Sequence, residues 1–255
     1  MKNVLRWDNL TWPEIKALAS QDTIVILPVG AIEEHGPHIA VGCDSVLVTA
    51  AAELCAEELE KRGQKCVVAP TITVGNSKPL MGFPGTLTLS YKTFERVLIE
   101  YCSGIVQSGF KKIVVLNGHG GNTKPIDIVL DELAGNLGAV VYHMSYMGCS
   151  VEAFAEILEK QKFMQHACEA ETSVMLDINP DLVLPIYKTT SGGSHGELAQ
   201  KLRGKATTYI PLHKQSQNGA MGFPDAASPE KGRALVEAIV RDLSDTICIE
   251  GFWNR

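Results

Sequence analysis

The chain has 255 residues, 45% of them hydrophobic and 20% charged, which is ordinary for a globular protein with a sizeable core. Its net charge of −6 leaves no basic excess to neutralise a phosphate backbone, so a general nucleic-acid binder is excluded. No run approaches the roughly 20 apolar residues of a membrane span, and the start, with Trp7, Asp8 and Asn9, lacks the apolar core of a signal peptide.

Thr23 to Val29 is an apolar, β-branched run that reads as a strand, followed by a helical pattern from Ser45 to Arg62. The rhythm repeats: strand Cys66 to Ala69, helix Tyr91 to Ser108, strand Lys112 to Leu116, helix Asn122 to Leu137, strand Ala139 to His143. The strands lack in/out alternation, which predicts burial on both faces in a parallel sheet. Gly63, Gly109 and Gly138 stand where helix C-caps belong. The alternation indicates an α/β layered domain. A further helical stretch covers Met164 to Leu176 and is followed by the turn signal Asn179-Pro180-Asp181. A Gly/Ser-rich run from Thr189 to Gly196 leads into an irregular segment reaching about Ser228, where substrate specificity is expected to lie. A last helix starts near Ser228-Pro229-Glu230, with a hydroxyl N-cap and Pro at its first position. No repeat or linker divides the chain, so residues 1–255 are read as one domain.

Seven cysteines (43, 55, 66, 102, 149, 168 and 248) form an odd set without CxxC spacing. That is a poor disulfide framework and suits a reducing cytoplasm.

Chemistry concentrates at strand ends, where open α/β sheets bind ligands. Just past the first strand lies Glu33-Glu34-His35-Gly36-Pro37-His38, followed by Asp44. Two carboxylates and two imidazoles are not needed to make a turn, and buried charges are costly unless paired or ligated. In extended chain, Glu33 and His35 point the same way and Glu34 points elsewhere. Asp44 has a competing role as a helix N-cap. The third strand ends in Asn117-Gly118-His119-Gly120-Gly121-Asn122, whose glycines permit close approach to a ligand but match no nucleotide-binding motif. A third cluster is His166, Glu169 and Glu171; on a helix only His166 and Glu169 would share a face.

In combination, these pieces resemble the creatininase (creatinine amidohydrolase) family: Pro28 to His38, Asp44, Phe83-Pro84-Gly85-Thr86, Asn117 to Asn122, His166 with Glu171-Thr172-Ser173, and Ala227 to Gly232. The resemblance implies a creatininase-like α/β/α sandwich with a mostly parallel central sheet. It also implies two divalent cations per chain, Zn, Mn or Fe, the metals that suit mixed carboxylate and imidazole ligands. By this likeness Glu33 and His119 hold one ion, His35 holds the second, and Asp44 bridges both. The family's further loop Glu corresponds here to Gly121, and Glu171 is the candidate replacement. His166 and Glu171 are the expected catalytic groups; Glu34, His38, Gly120 and Gly121 are expected at the substrate. Met147 and Lys162 stand where creatininase proper carries tryptophans, pointing away from creatinine, and the Gly120-Gly121 loop resembles the branch that cleaves formamides or opens an inositol-derived cyclic ketone.

The expected reaction is hydrolysis of a cyclic amide or formamide C–N bond by a metal-bound hydroxide. The alternatives are C–C cleavage of a cyclic di- or triketone and a metal-binding protein without catalysis. Cys43 and Cys168 flank the ligands but are not read as nucleophiles. His195 is expected in a loop over the pocket, and His143 and His213 are read as structural. The expected partner is a small-molecule substrate, with no nucleic acid and no membrane, and the resemblance implies a homo-oligomer, typically a hexamer.

Overall fold

The computed structural model describes residues 6–133, 137–194, 205–206 and 208–254. Four parallel strands form the central sheet: β1 (Ile24–Val29), β2 (Cys66–Val68), β3 (Lys112–Asn117) and β4 (Val140–Ser145), in the order β2-β1-β3-β4. Every strand expected from the sequence is present, with ends shifted by one or two residues.

Side chains alternate between two apolar clusters, which is why the strand sequences do not alternate. Ile24, Ile26, Val68, Val114 and Leu116 face one cluster. There they meet helices α2 (Cys43–Lys61), α7 (Glu169–Ile178) and α8 (Pro229–Ile247). Val25, Leu27, Val67, Ile113 and Val115 face the other. That face is covered by α1 (Trp12–Ala19), α3 (Tyr91–Gln107) and α4 (Thr123–Leu133). Helices on both faces of a parallel sheet make the α/β/α sandwich. Gly63, Gly109 and Gly138 all have positive φ, at 81°, 100° and 68°. Among the described residues no helix is long and apolar enough to cross a membrane.

The connections determine where a ligand can sit. From β1 the chain passes through α2 to β2 on one side; from β2 it crosses by α3 to β3 on the other. The switch point therefore lies between the carboxyl ends of β1 and β3, where Val29 pairs with Asn117.

Four elements differ from expectation. The helix expected from Met164 begins only at Glu169, because Ala167 has φ 49° and breaks the turn before it. Helix α1 was not read from the sequence, although Thr11, Pro13 and Glu14 carry its capping signal: the Thr11 N–H donates to the Glu14 carboxylate at 2.7 Å. Short helices α5 (Tyr146–Cys149) and α6 (Val151–Ile157) also went unread, being too short for a helical period to show.

The C-terminal Ser-Pro-Glu-Lys segment has a structural purpose. Ser228 caps α8, and Lys231 reaches Glu169 at 2.7 Å, while Glu169 also accepts from the backbone of Glu159 at 2.8 Å and Lys160 at 3.0 Å. Glu169 is fully buried. Removing the cation while leaving this carboxylate should cost roughly 3 kcal/mol, the low end for a broken buried pair. Urea unfolding of Lys231→Met against the wild type measures that loss as a lower midpoint.

Candidate metal centre

The site is built at the β1/β3 switch point. Beyond β1 the chain runs extended, so Glu33 and His35 face the same centre while the Glu34 carboxylate turns aside, as the strand period requires. Helix α2 delivers Asp44 from its first turn. It is not the N-cap, a position occupied by Gly42. This close packing depends on two glycines: a Cβ on Gly30 would lie 2.5 Å from Ser45 Oγ, and one on Gly118 would lie 2.6 Å from Val48 Cβ.

Asp44 sits at the middle. Its Oδ1 is 3.2 Å from His35 Nε2 and its Oδ2 is 3.2 Å from His119 Nδ1. Glu33 Oε1 is 3.2 Å from the same His119 nitrogen and 3.4 Å from His166 Nδ1. Glu171 Oε2 lies 3.8 Å from His35 Nε2. Both histidines are oriented by their other nitrogens: His35 Nδ1 donates to the Glu33 carbonyl at 3.1 Å, and His119 Nε2 donates to the Asn76 carbonyl at 3.0 Å. Those bonds fix the tautomers and leave His35 Nε2 and His119 Nδ1 with lone pairs directed at Asp44.

These residues fit a cation. Glu33 Oε2, His35 Nε2 and Asp44 Oδ2 are buried without a hydrogen-bond partner. Buried polar atoms are rarely left unpaired, and three on these neighbouring residues mark a candidate ligand set. Candidate donor atoms of Glu33, Asp44 and His119 lie within 4.8 Å of one another, as do those of His35, Cys43 and Asp44, and those of Glu33, His35 and His166.

Electrostatics agree. Burial opposes a charge on His119, but Glu33 and Asp44 outweigh it and hold the imidazole well above its ordinary pKa. Burial likewise opposes a charge on His35, and Cys43 and Asp44 outweigh it. Burial would raise Asp44, yet His35 and His119 keep it below the usual carboxylate range. The centre demands positive charge. Burial drives the Glu171 carboxyl up to about 7, against the pull of His35, and Asp44 adds to the rise. It also pushes the Cys43 thiol up to about 12 and Cys168 to about 11, which removes both as free nucleophiles.

A cavity of about 290 Å³ opens over this centre, with Glu33, Asp44, His119, His166 and Glu171 in its floor. Its walls include Leu80, Met147, Met164 and Leu212. Gly120 lines it; Glu34, His38, Gly121 and Lys162 do not. Glu34 instead accepts from His166 Nε2 at 3.1 Å and from the Gly36 N–H at 3.0 Å. His38 is fully buried, with its Nε2 2.9 Å from Thr172 Oγ1 on α7. Glu34, His38 and Gly121 thus stand outside the lining of this cavity. With α7 starting at Glu169, His166 precedes the helix, and Glu171 rather than Glu169 lines the cavity. His143 pairs with Asp127 at 2.7 Å, away from the site. His195 lies outside the described residues.

Residues 8–247 match the family model "Creatininase: Creatinine amidohydrolase". The chain belongs to the creatininase family. It is 29% identical over 238 residues to the mycofactocin precursor peptide peptidase of Mycolicibacterium smegmatis, covering 91% of this chain and 87% of that one. It is 29% identical over 262 residues to the creatinine amidohydrolase of Pseudomonas putida, covering 93% and 94%. With the 3-dehydro-scyllo-inosose hydrolase of Thermotoga maritima it shares 30% over 183 residues, covering 69% and 57%. Among solved structures, "Creatininase Mn" superposes with a TM-score of 0.81 at 24% identity, covering 99% and 100%. A creatininase variant of "Zn-Zn type" gives 0.78 at 25%, covering 99% of each chain. This member of the creatininase family is a hydrolase.

The supporting residues were the least visible in sequence. Asn122 accepts from the Asn76 N–H and donates to the Gly30 carbonyl, both at 2.9 Å, so it ties the His119-orienting carbonyl to the end of β1. Thr86 accepts from the Glu34 N–H at 3.1 Å, which accounts for the Pro-Gly-Thr piece noted above. Asn76 carries no local motif.

One pH effect follows from His38. Burial, reinforced by His35 and His166, lowers its pKa to about 4, below the roughly 6.5 of an unfolded histidine. The unfolded chain takes up this proton first, so stability is full above about pH 6.5 and is lost as pH falls toward 4. In His38→Gln the fall of the urea midpoint over that range should be shallower than in the wild type.

Proposed function

We propose that this hydrolase uses a pair of divalent cations, zinc, manganese or iron, to cleave the C–N bond of a small amide, with cyclic amides and formamides the first candidates. The observation that supports it is the set of buried, unpartnered atoms on Glu33, His35 and Asp44 beside a cavity that Glu33, Asp44 and His119 line. Glu33, Asp44 and His119 would hold one ion, and His35 with Asp44 the other. Bound cations activate a water for attack and polarise the scissile carbonyl.

The chain's own residues do the rest. Glu34 anchors His166 Nε2 and leaves Nδ1 on the side of Glu33, which lines the cavity. From there His166 passes a proton to the leaving nitrogen as the C–N bond breaks. Glu171 is buried and carries a carboxyl shifted to about 7, so it can take a proton from the attacking water and return it near neutral pH. Leu80, Met147, Met164 and Leu212 exclude water and suit a compact, partly apolar substrate. Similarity to relatives named for an amidohydrolase and a peptide peptidase supports the amide class. Similarity to an inosose hydrolase favours a second reading, ring opening of a cyclic ketone at the same residues.

Purified protein should hold up to two transition-metal ions per chain by elemental analysis, and Asp44→Ala should lose both together with turnover. Full occupancy in that variant would contradict the assignment. His166→Gln should keep its metal and lose about 10²–10⁴-fold in turnover on the substrate found by screening. Release of ammonia, amine or formate marks the amide reading; a ring-opened keto acid marks the ketone one.

A further inference from the structure

The two halves of the centre are unequally supplied with anions. Around His119, two carboxylates approach one nitrogen: Glu33 Oε1 and Asp44 Oδ2, each at 3.2 Å. Around His35, Asp44 Oδ1 approaches Nε2 to 3.2 Å, while Glu171 Oε2 lies farther off at 3.8 Å and already accepts from the Ala167 N–H. The loop after β3 offers no substitute. A Cβ at Gly121 would lie 2.2 Å from the Asn76 carbonyl and 2.4 Å from His119 Nε2, so any side chain there would break the bond that orients His119.

Cys43 fills this gap. It precedes Asp44 in the first turn of α2, is fully buried, and places Sγ within 4.8 Å of a His35 ring nitrogen and an Asp44 oxygen. The buried, unpartnered His35 Nε2 points into the same space. The two sets are then alike in form: Glu33, Asp44 and His119 on one side, Cys43, Asp44 and His35 on the other. We propose that Cys43 Sγ is the third protein ligand of the cation held by His35 and Asp44.

This builds on the proposed two-cation reading. On binding, a sulfur–metal bond forms, the S–H proton leaves to solvent, and no redox change is involved. A thiolate makes this half-site soft beside a hard one, so it selects zinc, iron or cobalt over manganese.

Cobalt(II) substitution tests it without reference to activity. Metal-free protein titrated with Co(II) should bind two ions and develop a sulfur-to-cobalt charge-transfer band in the near ultraviolet. Cys43→Ser and Cys43→Ala should each lose the band and one ion, whereas Cys168→Ala should keep both. Two bound ions with no such band in the wild type, or a band that survives in both Cys43 variants, would overturn the ligand assignment and leave the two-cation reading standing. No Co(II) binding at all would overturn both. The wild-type spectrum decides the matter even if the Cys43 variants fail to fold.

Discussion

A carboxylate with one oxygen 3.2 Å from each of two buried histidines is the point on which this structure turns. Asp44 is 2% exposed, and Glu33 and His35 are 1% exposed. Ionised groups withdrawn from water this far are stable only if each is answered by charge or hydrogen bonds. The second nitrogens of His35 and His119 are answered by backbone carbonyls; His35 Nε2, facing Asp44, has no hydrogen-bond partner. Protons on the two imidazoles, or cations, have to supply the balance; against the burial that opposes charge, His35 is held above its ordinary pKa by Cys43 and Asp44, and His119 by Glu33 and Asp44. The architecture serves this cluster. The switch point opens a gap at the end of the sheet, Gly30 and Gly118 admit α2, and Asn122 locks the Asn76 carbonyl against His119.

Much of this was legible in the sequence because it is written in local patterns. Buried parallel strands appear as unbroken β-branched runs, and helix ends appear as glycines at positive φ. The period of two along Glu33, Glu34 and His35 already separates the residues that face the centre from the one that supports His166. What stayed hidden depends on distant contacts. Asn76 and Thr86 act through one backbone group each, on partners far along the chain. Helix α7 begins several positions later than its apolar pattern suggests because a single residue in the left-handed region, Ala167, breaks the turn before it.

The same separation explains how one scaffold accommodates relatives named for different substrates. The charged floor comes from strand ends and first helical turns, which the sandwich holds rigidly. The walls come from Leu80, Met147, Met164 and Leu212, on connections outside the sheet. Thioether and aliphatic walls can reshape a pocket without moving the ligands beneath it. Lys231 and Glu169 extend that rigidity to His166, because the ion pair pins the start of α7 directly after the histidine's loop.

In the proposed centre Asp44 would stand between two cations. Anomalous diffraction from crystals grown with zinc tests this most directly. Two peaks are expected, one on each side of the Asp44 carboxylate, the first also in contact with Glu33 and His119 and the second with His35. Absence of any peak at Asp44, with zinc bound elsewhere on the chain, would contradict it.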